Sequence, residues 1–222
     1  MNTKPNLIVM LTQNDFTVAN AAEIFEECKN CNVTYWGLKE QALPIEEMRQ
    51  LNQRMKECGK TTVLEIVAYT EQEGLAGAKI AVECGFDILM GTIFSDAINE
   101  YCKQNEIKYM PFIGNVVERP SILRGEIGDI VSEAKRYISK GVYGIDLLGY
   151  RYEGNVNALI KAVVKSIDVP ICIAGSIDNE LKLDYIKQLK PWGFTIGSAF
   201  FDNCFGETIK DQIDYVIKFL NK

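Results

Sequence analysis

Three charged side chains stand in or directly after segments that otherwise read as buried strands. Glu65 lies within Val-Leu-Glu-Ile-Val and Asp146 within Tyr-Gly-Ile-Asp-Leu-Leu-Gly, while Lys39 directly follows the apolar run 33–38. A charge in a buried strand is costly unless it is paired or hydrogen-bonded, so each of these residues needs a reason. The catalytic reason is acid–base work by Glu65 and Asp146, with Lys39 as a Schiff-base former or as a fixed cation on a carbonyl or phosphate.

Each of the three residues also has a structural interpretation. In that interpretation, Glu65 and Asp146 each form an ion pair inside the core or accept a hydrogen bond from a backbone group. Lys39 is then a solvated residue of a polar loop. The sequence contains no His, which removes the commonest general base and the commonest transition-metal ligand. Proton transfer would therefore fall to carboxylates, to Lys39, or to a tyrosine such as Tyr69 or Tyr150. We predict neither a metal site nor a resident cofactor.

Two short apolar runs near the end of the chain each contain a Gly-Ser pair. The run 169–176 ends in Gly175-Ser176, and the run 193–201 contains Gly197-Ser198. Apolar runs bounded by Pro or Gly are typical of strands buried on both faces of a parallel sheet. Where two such strands are neighbours, their glycines allow one anion to approach the backbone N–H groups closely. We therefore predict a phosphate site formed by these four residues.

Six further strand–helix units precede this pair, and together they predict the fold. The predicted strands before it cover residues 7–12, 33–38, 61–68, 87–90, 108–113 and 142–148. The predicted helices cover residues 17–29, 44–58, 74–83, 95–104, 127–139, 155–166, a segment from about 179, and 208–220. Regular alternation of strands and helices implies parallel strands with right-handed crossovers. Eight units in 222 residues favour an α/β fold, a single (β/α)8 barrel domain spanning 1–222, over a doubly wound open sheet, whose first turn is often Gly-rich.

The longest predicted connection between a strand and a helix is 115–126. Long loops in compact domains tend to be lids or binding loops, and this one carries Arg119 and Arg124. With Arg151, which follows the sixth strand, these residues are candidate lid or anion contacts. Exposed arginines on a mobile loop are an equally good interpretation of the first two.

The composition of the chain indicates which partners and which cellular compartment to expect. The net charge of −6 argues against a nucleic-acid partner, and no apolar run reaches the ~20 residues that span a bilayer, so no membrane partner is expected. Seven cysteines scattered through core-like segments favour the reducing cytoplasm. Cys28 and Cys31 form a C-x-x-C pair, but without a second pair or a His we interpret them as small buried side chains. A homodimer is left open.

The last two units resemble the phosphate-binding α/β barrels. That group includes isomerases of histidine and tryptophan biosynthesis, ribulose-phosphate epimerase, and hexulose-phosphate synthase with its decarboxylase relatives. The matching stretches are 170–177 and 193–200, and the resemblance implies that their Gly-Ser pairs hold a phosphate. The chain departs from individual members: it lacks the epimerase's histidines, it has Glu65-Ile-Val-Ala-Tyr69 in place of the decarboxylases' Asp-x-Lys-x-x-Asp, and it has Asp146 where aldolases carry a Schiff-base lysine.

These observations favour an enzyme that acts on a small phosphorylated, sugar-like metabolite by metal-independent isomerisation or retro-aldol cleavage. The alternative from another class is a regulatory barrel that binds a phosphorylated metabolite without catalysis. The two differ in one geometric expectation, because an enzyme needs Lys39, Glu65 and Asp146 to converge beside the phosphate site. Whether the phosphate belongs to a substrate or to a flavin or nicotinamide cofactor is left open.

Overall fold

A computed structural model describes residues 4–222 of the protein. In it, eight parallel strands alternate with helices along the chain. The strands are β1 (Asn6–Met10), β2 (Tyr35–Lys39), β3 (Thr61–Ile66), β4 (Ile88–Gly91), β5 (Lys108–Met110), β6 (Ile145–Leu147), β7 (Ile171–Ile173) and β8 (Gly193–Ile196). The helices are α1 (Ala21–Cys28), α2 (Ile45–Glu57), α3 (Glu71–Cys84), α4 (Asp96–Gln104), α5 (Ile127–Ser139), α6 (Val156–Ser166), α7 (Glu180–Leu189), the short α8 (Ser198–Phe201) and α9 (Ile209–Asn221).

The sheet closes on itself. Its hydrogen-bonded order runs β6, β7, β8, β1, β2, β3, β4, β5, so the first and last strands of the chain are neighbours, with Leu7 opposite Phe194. The remaining gap between β5 and β6 is bridged where Phe112 pairs with Asp146, and the Asp146 amide donates to the Pro111 carbonyl at 3.0 Å. The predicted (β/α)8 barrel is therefore confirmed, and the doubly wound open sheet is excluded.

The barrel interior is filled below its C-terminal end. Seven buried side chains from five strands form the interior cluster: Ile8, Met10, Val63, Ile88, Met90, Met110 and Cys172. Tyr35, Tyr143 and Trp192 pack against this cluster, and the rings of Tyr35 and Trp192 meet edge to face at 5.2 Å. Such a core leaves the C-terminal end of the barrel as the end at which a ligand site can open.

Helix ends follow local chemistry that the sequence displays. Ser95 begins α4 as predicted, since its Oγ accepts from the Ile98 amide at 3.1 Å. Gly85 ends α3 with a φ of 77°, a conformation that favours glycine.

Cys28 and Cys31 are buried as predicted, and burial, together with the neighbouring Cys31, raises the pKa of the Cys28 thiol to about 12. No helix within residues 4–222 is long and apolar enough to cross a bilayer.

Two short antiparallel hairpins depart from the predicted pattern. Thr12–Gln13 pairs with Phe16–Thr17, so the first helix begins at Ala21 rather than at residue 17. Tertiary hydrogen bonds explain the difference, because Thr17 Oγ donates to the Lys39 carbonyl at 2.8 Å and accepts from the Lys39 amide at 2.9 Å. The second hairpin joins Asn115–Val117 to Ile122–Arg124, within the segment predicted to be a loop.

Candidate functional site

A cavity of about 300 Å³ opens at the C-terminal mouth of the barrel. The residues that line it lie in or shortly after six of the eight strands, or belong to the second hairpin. Seven of the candidate site residues line it: Lys39, Glu65, Arg151, Gly175, Ser176, Gly197 and Ser198. Seven of the ten residues predicted for the site therefore meet in one cavity.

The two Gly-Ser turns lie side by side on this cavity because β7 and β8 are paired, with Ile173 opposite Phe194. Gly175 has a φ of 87°, and a Cβ placed there would lie 2.8 Å from Cγ of Arg151. A Cβ on Gly197 would lie 2.6 Å from Oγ1 of Thr12. Both positions therefore require glycine, because Arg151 and Thr12 occupy the space that a side chain would need.

A chain of opposite charges lies beside these turns. Lys39 Nζ lies 2.8 Å from Oδ1 of Asp15 and 3.3 Å from Oε1 of Glu65. Arg151 Nη1 approaches the other oxygen of Asp15 at 3.4 Å. Lys39, Asp15 and Glu65 are all buried, so water does little to screen these attractions.

The pairing fixes the charge states of Lys39 and Asp15. Burial alone would lower the pKa of Lys39, but the carboxylates of Glu65 and Asp15 outweigh burial and raise it above its ordinary value. Burial would likewise raise the pKa of Asp15, but the nearby Lys39 and Arg151 lower it. Lys39 is therefore a protonated ammonium and Asp15 an ionised carboxylate at neutral pH.

Asp146 is in the opposite electrostatic situation. It is fully buried in β6 and does not line the cavity, and neither of its carboxyl oxygens has a hydrogen-bond partner among residues 4–222. Burial, and then the charge of Glu65, raise the pKa of Asp146 well above its ordinary value, although Lys39 and the backbone of Gly91 act in the other direction. Burial and the charge of Glu65 therefore favour the protonated, neutral form of this side chain next to a charged pair.

Two of the predicted anion contacts are engaged elsewhere. Arg119 donates to Glu40 Oε1 at 2.9 Å and to the Val67 carbonyl at 3.2 Å. Arg124 lies between Glu118 and Glu153, at 2.8 and 2.6 Å. Neither arginine lines the cavity, because each finds a carboxylate on or beside the hairpin. Of the three predicted arginines, Arg151 alone faces the cavity.

Two polar residues of the cavity wall that bear on its chemistry, Asp15 and Ser121, are not among the predicted site residues. Asp15 comes from the first hairpin, where both Asn14 and Asp15 adopt positive φ angles, of 51° and 68°. An Asn-Asp pair directly after a strand is a signal for such a turn and could have drawn attention to Asp15. Ser121 comes from the second hairpin, and no local pattern indicates that this segment folds back over the mouth.

Comparison with known proteins supports the fold without naming a family. Neither a protein-family model nor a curated protein matches this sequence significantly. Solved structures do match over nearly the whole chain. Orotidine 5'-phosphate decarboxylase from Pyrococcus horikoshii has a TM-score of 0.71 at 11% identity, covering 97% of this chain and 99% of that chain.

Two further structures have the same architecture at similarly low sequence identity. The tryptophan synthase alpha chain from Legionella pneumophila has a TM-score of 0.69 at 10% identity, over 99% of this chain and 92% of that one. N-acetylmannosamine-6-phosphate 2-epimerase from Clostridium perfringens has a TM-score of 0.64 at 13% identity, over 97% and 93%. These matches confirm the barrel fold that the resemblance implied.

The buried position of Lys39 leads to a stability prediction. Replacing Lys39 by Met leaves Glu65 without its cation and Asp15 with Arg151 alone, so we expect Lys39→Met to lower the free energy of unfolding by roughly 3 kcal/mol. Lys56→Met removes an exposed ion pair with Asp87 and should cost less than about 1 kcal/mol. Urea denaturation of both variants measures the difference. Equal losses would show that the Lys39 cluster behaves like a surface ion pair.

Proposed function

We propose that this protein is an enzyme that acts on a small phosphorylated, sugar-like metabolite by isomerase- or lyase-type acid–base chemistry. The observation that carries the proposal is the convergence of Lys39, Glu65 and the two Gly-Ser turns on one cavity. Asp146, the third residue expected to converge there, is buried in β6 and does not line the cavity. A phosphate at the turns would place the remainder of the ligand against the charged cluster, as catalysis requires. The volume of about 300 Å³ suits a small metabolite.

The phosphate would be held by the backbone N–H groups of the Gly-Ser turns and by Arg151. The Arg151 side chain packs over Gly175, and its contact with Asp15, at 3.4 Å, is long for an ion pair. Arg151 is therefore able to exchange part of this contact for a phosphate oxygen. Two of the three structures compared above carry a phosphorylated compound in their names, which agrees with this assignment.

Lys39 is best suited to the role of a fixed cation. A Schiff base requires a neutral amine, whereas the pKa of Lys39 is raised by Glu65 and Asp15 although burial opposes the shift. An ammonium group has three donors, of which two point to Asp15 and Glu65. The third would donate to a carbonyl oxygen of the substrate and stabilise negative charge that develops on it.

The two carboxyl groups would share the proton-transfer work. Glu65 lines the cavity and would accept the proton from a carbon next to the substrate carbonyl. Asp146 is close enough for the charge of Glu65 to act on its pKa, but its carboxyl oxygens have no hydrogen-bond partner among residues 4–222. It would therefore exchange its proton with Glu65 through a bridging water molecule. A proton relayed between two such groups would allow one to act as a base while the other remains an acid.

A phosphometabolite sensor without catalysis is the alternative. It would use the same Gly-Ser turns and the same arginine, but it would have no need of a neutral acid buried behind a charged pair. Binding and turnover must therefore be measured separately, since binding alone is expected of both.

Binding is tested at Gly197. We expect phosphosugars, but not the unphosphorylated sugars, to stabilise the protein, by roughly 2.7 kcal/mol at ~100 times the dissociation constant. Gly197→Ala should abolish this effect, because the added Cβ meets Thr12. Gly128→Ala is the matched control, since a Cβ there meets no atom within 4 Å. Thermal unfolding with and without ligand measures both, and equal stabilisation of the two variants would contradict the assigned phosphate site.

Turnover is tested at Asp146. For the phosphosugar that binds best, we expect the wild type to exchange a carbon-bound proton with deuterated water, as followed by proton NMR. Asp146→Asn should slow this exchange by at least ~100-fold, because the side chain no longer carries an acidic proton, while ligand binding persists. Asp168→Asn, at an exposed position, is the control. Exchange at the wild-type rate in Asp146→Asn would overturn the assigned mechanism, and no exchange in the wild type would favour the sensor.

A further inference from the structure

We propose that Ser121 determines specificity by accepting a hydrogen bond from a hydroxyl group at the end of the ligand remote from its phosphate. Tyr69 is the positioning residue that holds Ser121 in this accepting state. The inference rests on the proposed function, because it takes the phosphate to lie at the Gly-Ser turns. It concerns the second hairpin, to which neither the phosphate site nor the acid–base cluster belongs.

The tip of the hairpin reaches across to the far side of the barrel mouth. Arg119 bonds the Val67 carbonyl, and Tyr69 bonds both Ser121 Oγ and the Glu118 carbonyl. Val67 and Tyr69 follow β3, which lies four strands round the ring from β7 in the order of the sheet. Ser121 therefore lines the cavity on the side opposite the Gly-Ser turns.

The hydrogen atoms in this group can be counted. The Tyr69 hydroxyl has one hydrogen, and the Glu118 carbonyl can only accept, so that hydrogen is directed to Glu118. The contact of 2.8 Å between Tyr69 and Ser121 then requires Ser121 Oγ to be the donor. Ser121 has used its only hydrogen in this bond, so its oxygen has only lone pairs left to offer.

The consequence is a preference for one kind of ligand end. Ser121 is 2% exposed, so little water can replace a missing hydrogen bond once a ligand fills this part of the cavity. A ligand hydroxyl can donate to the Oγ lone pairs, whereas a ketone oxygen offers only lone pairs of its own. A site that leaves a buried acceptor unpaired disfavours the second ligand.

The test compares two matched phosphate esters. Pentyl and hexyl phosphates carrying either a secondary hydroxyl or a ketone on the carbon before the last differ mainly in the hydrogen that Ser121 can accept. Isothermal titration measures the affinity of each, with the plain alkyl phosphates as reference. We expect the wild type to prefer the alcohol by about tenfold.

Three variants separate specificity from a structural effect on the hairpin. Ser121→Ala should lose the preference. Tyr69→Phe removes the acceptor of the Ser121 hydrogen and frees that hydrogen for the ligand, so binding of the ketone should strengthen by about tenfold. Tyr152→Phe is the control, since Tyr152 also donates to a carbonyl of this segment, that of Gly125, whereas the side-chain hydrogen bond of Ser121 is with Tyr69. It should keep the wild-type preference.

The outcomes are distinguishable. An undiminished preference in Ser121→Ala, or equal changes in Tyr69→Phe and Tyr152→Phe, would overturn the role of Ser121 alone. The role of Ser121 would also be overturned if the plain alkyl phosphates bind but the alcohol and ketone esters bind with equal affinity. If the wild type binds none of the esters, the phosphate site itself fails, and the inference about Ser121 fails with it.

Discussion

The buried ammonium group of Lys39 is the constraint on which the arrangement of the mouth depends. A cation removed from water must be matched by anions, and the two that match it come from separate elements, Glu65 from β3 and Asp15 from the first hairpin. The hairpin is in turn tied to the end of β2 by the paired hydrogen bonds between Thr17 and the backbone of Lys39. One side chain thus links three successive parts of the chain, and its charge state follows from that link.

The barrel interior is closed at one end and open at the end where the Lys39 cluster lies. The aromatic residues Tyr35, Tyr143 and Trp192 pack at the other end of the interior cluster, while the C-terminal mouth opens into the cavity. The Gly-Ser turns lie on one side of the mouth and the second hairpin on the other, so a ligand would have a defined orientation. Under the proposed function, a phosphate at the turns would place the reacting carbons near Lys39 and Glu65, with the remote end of the molecule near Ser121.

Much of the fold could be predicted from the sequence because each strand–helix unit carries its own local signals. The apolar runs, the Ser95 cap and Gly85 are read within a few residues, and Glu65 and Asp146 attract attention because charge is rare in such runs. The hairpins could not be predicted, because hydrogen bonds to distant residues, such as those of Thr17 to Lys39, decide them. The same holds for Arg119 and Arg124, which pair with carboxylates that the sequence alone does not identify as neighbours.

The most direct test of this account is the protonation state of Asp146. Carbon-13 NMR of protein labelled at the aspartate carboxyl carbons, with the Asp146 signal assigned by its loss in Asp146→Asn, reports that state. We predict that this carbon still has the chemical shift of a neutral acid at a pH at which the exposed aspartates of the protein are already ionised, because burial and the charge of Glu65 raise its pKa. A signal that has already moved to the position of an ionised carboxylate would contradict the neutral acid behind the charged pair, and with it the proposed division of roles.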